Sequence, residues 1–232
     1  MGVHIKKHMK NNLQSLLFAA ATTIAISANA QTTIYVQPAG ATTSNFWPTD
    51  PGSLRWQQDY SSSFFGSSPI SISSFSFVNY GDVTGPISYP SFSITFSTTS
   101  VTPGSLSTTY SANVGADATT VFSGPITLTD IGGLTTFNLT TPFTYDPSQG
   151  NLLIDIDHGA SSSGDPMSFI SYDTEPTGLL QRVADGPDTA IGNDFGFGTL
   201  QTEFAASPTP EPCTLALAGL GSLSLLAFRR RK

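Results

Sequence analysis

The central part of the sequence predicts an all-β fold, an antiparallel β-sandwich of jelly-roll type. Apolar and hydroxyl-bearing residues alternate along many short segments, turn-forming dipeptides separate these segments, and no internal segment has sustained helical periodicity. Short strands at spacings of roughly 10 to 15 residues favour a sandwich over a parallel α/β sheet. The sequence has no internal repeat, which argues against a propeller or a solenoid.

The strands follow from the alternation. Every second residue is apolar in two segments, at Phe92, Ile94, Phe96 and at Leu152, Ile154, Ile156. Because successive side chains of a strand point to opposite faces, one face of each segment is predicted to be buried. Further strands are predicted at residues 32–36, 54–60, 70–77, 119–122, 126–129, 134–140 and 168–172. Within 70–77 the apolar parity shifts across Ser73-Ser74, which predicts a β-bulge.

Turns are predicted where Gly and Pro interrupt the pattern. The dipeptides are Pro103-Gly104, Gly124-Pro125, Gly132-Gly133, Asp146-Pro147 and Gly186-Pro187.

The N-terminus has the three parts of a secretory signal peptide. Three lysines between positions 6 and 10 precede an apolar stretch at 13–26, and Ala28-Asn29-Ala30 follows. Small residues at Ala28 and Ala30 are typical of the site that signal peptidase cleaves, so cleavage is predicted after Ala30. An uncleaved anchor helix is the alternative, although the apolar stretch is shorter than the ~20 residues that a spanning helix needs.

The C-terminus is also tripartite. Pro210-Glu211-Pro212 precedes an apolar run at 213–228, and Arg229, Arg230, Arg231 and Lys232 end the chain. The run is marginal for crossing about 30 Å of hydrocarbon, and the terminal cations should stay on the cytoplasmic side. The predicted organisation is a signal peptide at 1–30, a β-sandwich at 31–206 and a tail at 207–232, in which 207–212 form an extended stalk.

This tail resembles the PEP-CTERM sorting signal of exported bacterial proteins. The resemblance rests on Pro210-Glu211-Pro212, the apolar run and the terminal arginines, in that order at the chain end. It implies that an exosortase-type transpeptidase recognises the tail in the inner membrane, cuts it near Pro-Glu-Pro, and passes the body to the cell surface or an extracellular polysaccharide matrix. Blocks of the body, such as residues 142–147, also resemble uncharacterised members of this group, which implies a shared fold but no known activity.

Charge is divided unevenly along the chain, whose net charge is −7. Seven of the nine basic residues lie in the two terminal segments, which leaves Arg55 and Arg182 against fifteen acidic residues in the body. A body this acidic lacks the cations that neutralise phosphates, so nucleic acid is excluded as a partner. Cys213 is the only cysteine, so the body has no intramolecular disulfide.

The acidic residues near the strand at 152–157 are candidates for chemistry. Asp155 and Asp157 should share one strand face, and Asp173 follows within reach of the same sheet edge, so the three could bind Ca²⁺. A pairing of Asp155 with Glu175 or Asp173 would suit a glycoside hydrolase. The simpler alternative is a solvated polar strand face, and the expected cofactor is none.

The aromatic residues offer a second candidate site. Trp47 and Trp56, if exposed, could stack on sugar rings, and core packing is the alternative. Arg55 is expected to pair with a neighbour such as Asp59 or to orient a ligand carboxylate. The sequence therefore predicts an exported structural or adhesive protein without catalysis, with a carbohydrate-binding module, calcium-dependent or not, as the alternative.

Overall fold

A computed structural model describes residues 30–37, 42–172, 178–185, 193–194 and 198–209. Several sequence predictions lie outside these residues, including Ala28, Asp173, Glu175, the Gly186-Pro187 turn and everything from Pro210 to Lys232. The described part contains thirteen strands and two single 3₁₀ turns. The strands are β1 (Thr32–Val36), β2 (Thr42–Asn45), β3 (Leu54–Tyr60), β4 (Ile70–Thr84), β5 (Ile87–Thr99), β6 (Thr119–Leu128), β7 (Leu134–Tyr145), β8 (Asn151–His158), β9 (Ser163–Gly164), β10 (Met167–Tyr172), β11 (Leu180–Asp185), β12 (Asn193–Asp194) and β13 (Thr202–Pro208).

The strands form two antiparallel sheets. In the first sheet β4 pairs with β7 on one side and with β13 and β10 on the other, while β1 and β2 continue outward from β13 and β10. The second sheet has the order β12-β11-β3-β8-β5-β6, with β9 paired to β5. Most consecutive strands lie in different sheets, as they do in jelly rolls. The predicted antiparallel sandwich is confirmed.

The two ends of the sandwich are formed by different connections. We call one end the terminal pole, because β1 starts there and β3, β7 and β13 end there. It contains Gln31, residues 61–69, residues 146–150 and Thr209. At the distal pole lie residues 46–53, 85–86, 129–133 and 159–166. The chain ends of the described body therefore share one pole.

The core between the sheets is unusually aromatic. Phe75 stacks on Phe137 with ring centroids 4.7 Å apart, and Phe77 packs edge-on against the ring of Trp56 at 5.6 Å. Trp56, Phe75, Phe77 and Phe137 are all fully buried. Since the body has no disulfide, this burial of large rings supplies its stability.

The bulge at Ser73 is confirmed, because pairing with β13 passes from Ile72 to Ser74 and skips one residue. The predicted turn at Gly124-Pro125 is wrong. These residues lie inside β6, at the edge of the second sheet, where a proline removes no hydrogen bond that a neighbouring strand needs. The turns at Pro103-Gly104, Gly132-Gly133 and Asp146-Pro147 are present.

The start of the predicted stalk is also different in the structure. Ser207 and Pro208 belong to β13 and pair with Ser71 and Ile70, and Thr209 donates its backbone N–H to the carbonyl of Pro69 at 3.2 Å. The sandwich therefore extends to residue 209 instead of ending at 206. Phe204 and Ala206, at alternate positions of this strand, are fully buried, and their packing anchors the strand to the core.

Candidate functional site

The outer face of the second sheet carries the main polar cluster of the described residues. Arg55 on β3 forms a two-point ion pair with Asp155 on β8, with Nη2 2.7 Å from Oδ2 and Nε 3.1 Å from Oδ1. Asp155 is 7% exposed and the side chain of Arg55 is 31% exposed. The hydrogen bond with Asp155 raises the pKa of Arg55, against the opposing effect of burial.

Arg55 is expected to pair with an acidic neighbour such as Asp59; its partner is indeed acidic, but it is Asp155 and not Asp59. Arg55 and Asp59 both lie on β3, but the register places Gln57 opposite Asp155 and Asp59 opposite Leu153, farther toward the terminal pole. Asp59 instead accepts a hydrogen bond from the backbone N–H of Gln181 on β11 at 2.7 Å. A cross-strand neighbour thus takes the place of the expected neighbour along the strand.

The connection at residues 100–118 covers part of this face and completes the cluster. Gln57 donates to Asp155 Oδ2 at 2.8 Å and to the carbonyl of Tyr110 at 3.2 Å, while Asn113 donates to Gln57 Oε1 at 2.9 Å. The guanidinium carbon of Arg55 lies 4.8 Å from the ring centre of Tyr110. Each buried polar group named here has a hydrogen-bond partner within the cluster. These bonds hold the side chains in fixed positions, so the cluster has a structural role.

The sequence reading missed this cover. Leu106 and Tyr110 pack with Leu153 and Val183 in a second small apolar cluster on the outer face, so this part of the sheet is not solvated. One signal was available at Gly115, where a side chain would collide with the backbone carbonyl of Thr98. Gly115 lies between Val114 and Ala116, and a glycine can mark a place where one backbone approaches another closely.

A groove of about 420 Å³ lies beside the cluster, toward the distal pole. Hydroxyl groups and one carboxylate dominate its lining, from Ser53, Ser91, Ser93, Ser123 and Asp157. The rows of the sheet place Arg55, Asp157, Ser93 and Ser123 side by side across β3, β8, β5 and β6. Hydroxyls and a carboxylate at this spacing can hydrogen-bond a polyhydroxylated ligand.

His158 ends β8 at the bottom of the groove. Its ring nitrogens lie 2.9 Å from the carbonyl oxygens of Gly159 and Pro48, and its ring stacks on Phe92 with centroids 5.2 Å apart. Burial lowers the pKa of His158, although the two carbonyls favour its protonated form. Since both nitrogens contact backbone carbonyls, the imidazole is held in a structural position and does not point at a serine hydroxyl.

The predicted calcium ligands are not assembled by the described residues. Asp155 is committed to Arg55, Asp157 lies on the exposed face, and Asp173 lies outside the described part. Nowhere in that part do three or more His, Cys, Asp or Glu side chains come together as a metal site would require. The calcium site and the pairing of Asp155 with Glu175 or Asp173 stay predictions.

The two tryptophans occupy different environments. Trp56 is fully buried, so its predicted role in stacking on sugars is wrong and the core-packing alternative holds. Trp47 is half-buried, with the guanidinium carbon of Arg182 5.5 Å from its ring centre, and its neighbour Phe46 is 41% exposed. Of the predicted aromatic site, only Trp47 keeps an accessible part that could meet a sugar, beside the exposed Phe46; Tyr35 and Tyr80 expose further rings elsewhere on the described surface.

The chain end that follows β13 is the remaining candidate. The model of the PEP-CTERM protein-sorting motif matches residues 208–232, so the matched segment begins at the last residue of β13. No curated protein and no solved structure matches the chain. Within the described ranges, no helix has the length and apolar character that crossing a bilayer demands.

Proposed function

Because the chain carries a PEP-CTERM protein-sorting motif, which implies export and processing by an exosortase, we propose that its β-sandwich is a non-catalytic structural or adhesive component of the cell surface or of an extracellular polysaccharide matrix. The observation that carries this proposal is the junction between fold and motif. The last described strand, β13, is hydrogen-bonded on both sides, to β1 and to β4, and the motif begins at its final residue, Pro208. Removal of the tail beyond Thr209 leaves every strand of the described residues in place.

The composition of the body supports the same proposal. Both outer faces present serine and threonine, for example in the cross-strand pairs Ser76–Thr136 and Ser88–Thr127, whose hydroxyls lie 2.8 Å apart. Two body cations against fifteen acidic residues give a net charge of −13, which keeps separate molecules apart and soluble outside the cell. A hydroxylated, acidic and disulfide-free domain suits a hydrated polymer matrix.

Deletion of residues 210–232 should abolish surface delivery while leaving the sandwich folded. The expected result is that the truncated protein is exported by its signal peptide and then found free in the medium or periplasm. Fractionation of the native host with immunodetection measures this, and Cys213→Ala in the full chain is the matched control that should sort normally. Unchanged surface display of the truncated protein would contradict the sorting role.

The groove supports glycan binding as a second candidate function. Its hydroxyls and the Asp157 carboxylate offer hydrogen bonds, and the acidity of the body favours a neutral glycan over an acidic one. The binding would rest on hydrogen bonds more than on stacking, since the groove lining contains a single aromatic ring besides His158, the buried Phe92.

Filling the groove should then remove glycan binding without unfolding the protein. Ser93→Tyr places a ring in the groove, whereas Thr144→Tyr on the exposed face of the first sheet is the matched control. A glycan array followed by calorimetry should show at least about a tenfold weaker Kd for Ser93→Tyr only, equivalent to 1.4 kcal/mol. Silence of the unmodified protein on neutral glycans would eliminate this candidate.

A further inference from the structure

The described body presents both of its ends at the terminal pole. Thr32 pairs with Ala206 in the antiparallel ladder of β1 and β13, so Gln31 and Thr209 lie at the same end of the sandwich. Thr209 is held there by two hydrogen bonds to the carbonyl of Pro69, from its backbone N–H at 3.2 Å and its hydroxyl at 3.1 Å. The exit point of the tail is thus fixed on the folded surface.

Few residues connect this exit point to the apolar run of the tail. Only Pro210, Glu211 and Pro212 separate Thr209 from the apolar run that begins at Cys213. Four residue steps span at most about 14 Å when fully extended. If the apolar run is in the membrane, Thr209 must therefore lie within that distance of the start of the run, which keeps the terminal pole close to the membrane.

The distribution of charged side chains also favours placing the terminal pole next to the membrane. Residues 61–69 of the terminal pole contain no charged side chain and are rich in serine. Of the described acidic side chains near this pole, Asp117 is exposed, Asp146 is half-buried and Asp59 is fully buried. Described side chains at or near the distal pole include more carboxylates, at Asp50, Asp82, Asp130, Asp157 and Asp165. An anionic lipid surface repels carboxylates within about one Debye length, 8 to 10 Å.

We propose that the terminal pole faces the lipid surface while the sorting signal is in the membrane, and that the distal pole points away from it. The inference rests on the proposed function, because it requires the apolar run to insert. The groove near Ser93 and Asp157, which lies toward the distal pole, is then held away from the membrane, where a matrix polymer would lie. The terminal pole, which has fewer described carboxylates than the distal pole, is the surface that a lipid headgroup layer meets.

The orientation can be measured with fluorescent labels on the full chain in liposomes. Cys213→Ala supplies a background without cysteine, and Ser67→Cys or Thr129→Cys then places one label at the terminal or the distal pole, both at exposed positions. The twelve residues of β7 run from pole to pole, so the labels differ in height by about 40 Å at 3.3 Å per residue. Lipids with a nitroxide on the headgroup quench only nearby labels.

The expected result is several-fold stronger quenching at position 67 than at position 129, and Ser148→Cys on the neighbouring turn should behave like Ser67→Cys. Insertion of about twelve Gly and Ser residues after Thr209 should weaken the quenching at position 67, since it adds roughly 17 to 20 Å of flexible reach. Equal quenching at the two poles, or a reversed order, would overturn the orientation. Failure of the protein to float with the liposomes would instead overturn the membrane step of the proposed function.

Discussion

Trp56→Ala is expected to lower the free energy of unfolding of the body by about 3 to 5 kcal/mol. The side chain is fully buried and its ring packs edge-on against Phe77, so truncation leaves a large cavity in a core of interlocked rings. Urea unfolding of residues 31–209, followed by far-UV circular dichroism, measures the change. The expected midpoint shift exceeds that of any surface substitution.

Two control variants separate packing from other effects. The indole nitrogen of Trp56 is buried without a hydrogen-bond partner among the described residues, so Trp56→Phe loses no hydrogen bond and should cost far less than Trp56→Ala. Tyr80, which is 49% exposed, should tolerate alanine within about 0.5 kcal/mol. A loss for Trp56→Ala no larger than that for Tyr80→Ala would show that Trp56 does not pack in the core.

Arg55→Met is expected to destabilise the body by about 2 to 3 kcal/mol. The substitution keeps an apolar stem of similar length but leaves the Asp155 carboxylate, 7% exposed, with Gln57 as its remaining hydrogen-bond donor. We place the cost below that of a fully buried pair because the side chain of Arg55 is itself partly exposed to water. The same urea titration measures it.

A double-mutant cycle tests whether the effect comes from the pair. Arg55→Met with Asp155→Leu removes both charges and should recover most of the loss, because no charge is then left buried. Asp157→Asn on the exposed face of the same strand is the control and should change stability by less than about 0.5 kcal/mol. If the double variant loses as much stability as the two single variants together, the two side chains do not interact energetically.

Much of the fold could be predicted from local patterns. Strands β1 and β3 and the bulge at Ser73 follow from apolar parity, because a half-buried strand imposes a period of two on the sequence. The joining of two predicted strands into β6 could not be predicted in this way. Gly and Pro signal a turn locally, and only the position of β6 at the sheet edge makes them compatible with a strand.

The polar site was less predictable, because it depends on register between distant strands. Local sequence shows that Asp155 and Asp157 share a face, but it does not show that Gln57 lies opposite Asp155 or that residues 100–118 fold over both. The same limitation explains the stalk. Proline-rich composition after Ser207 indicates an extended chain, and the pairing of Ser207 with Ser71 shows that its first residues are a strand.

The central claim is that this chain is cut at both ends and delivered as a sandwich. Trypsin cleavage of the denatured surface protein tests it directly, since the body offers cleavage only after Arg55 and Arg182. The account predicts an N-terminal peptide of residues 31–55 and a C-terminal peptide that starts at Val183 and contains nothing beyond Pro212. A surface protein whose last peptides extend from Val183 to Arg229 would contradict processing of the sorting signal.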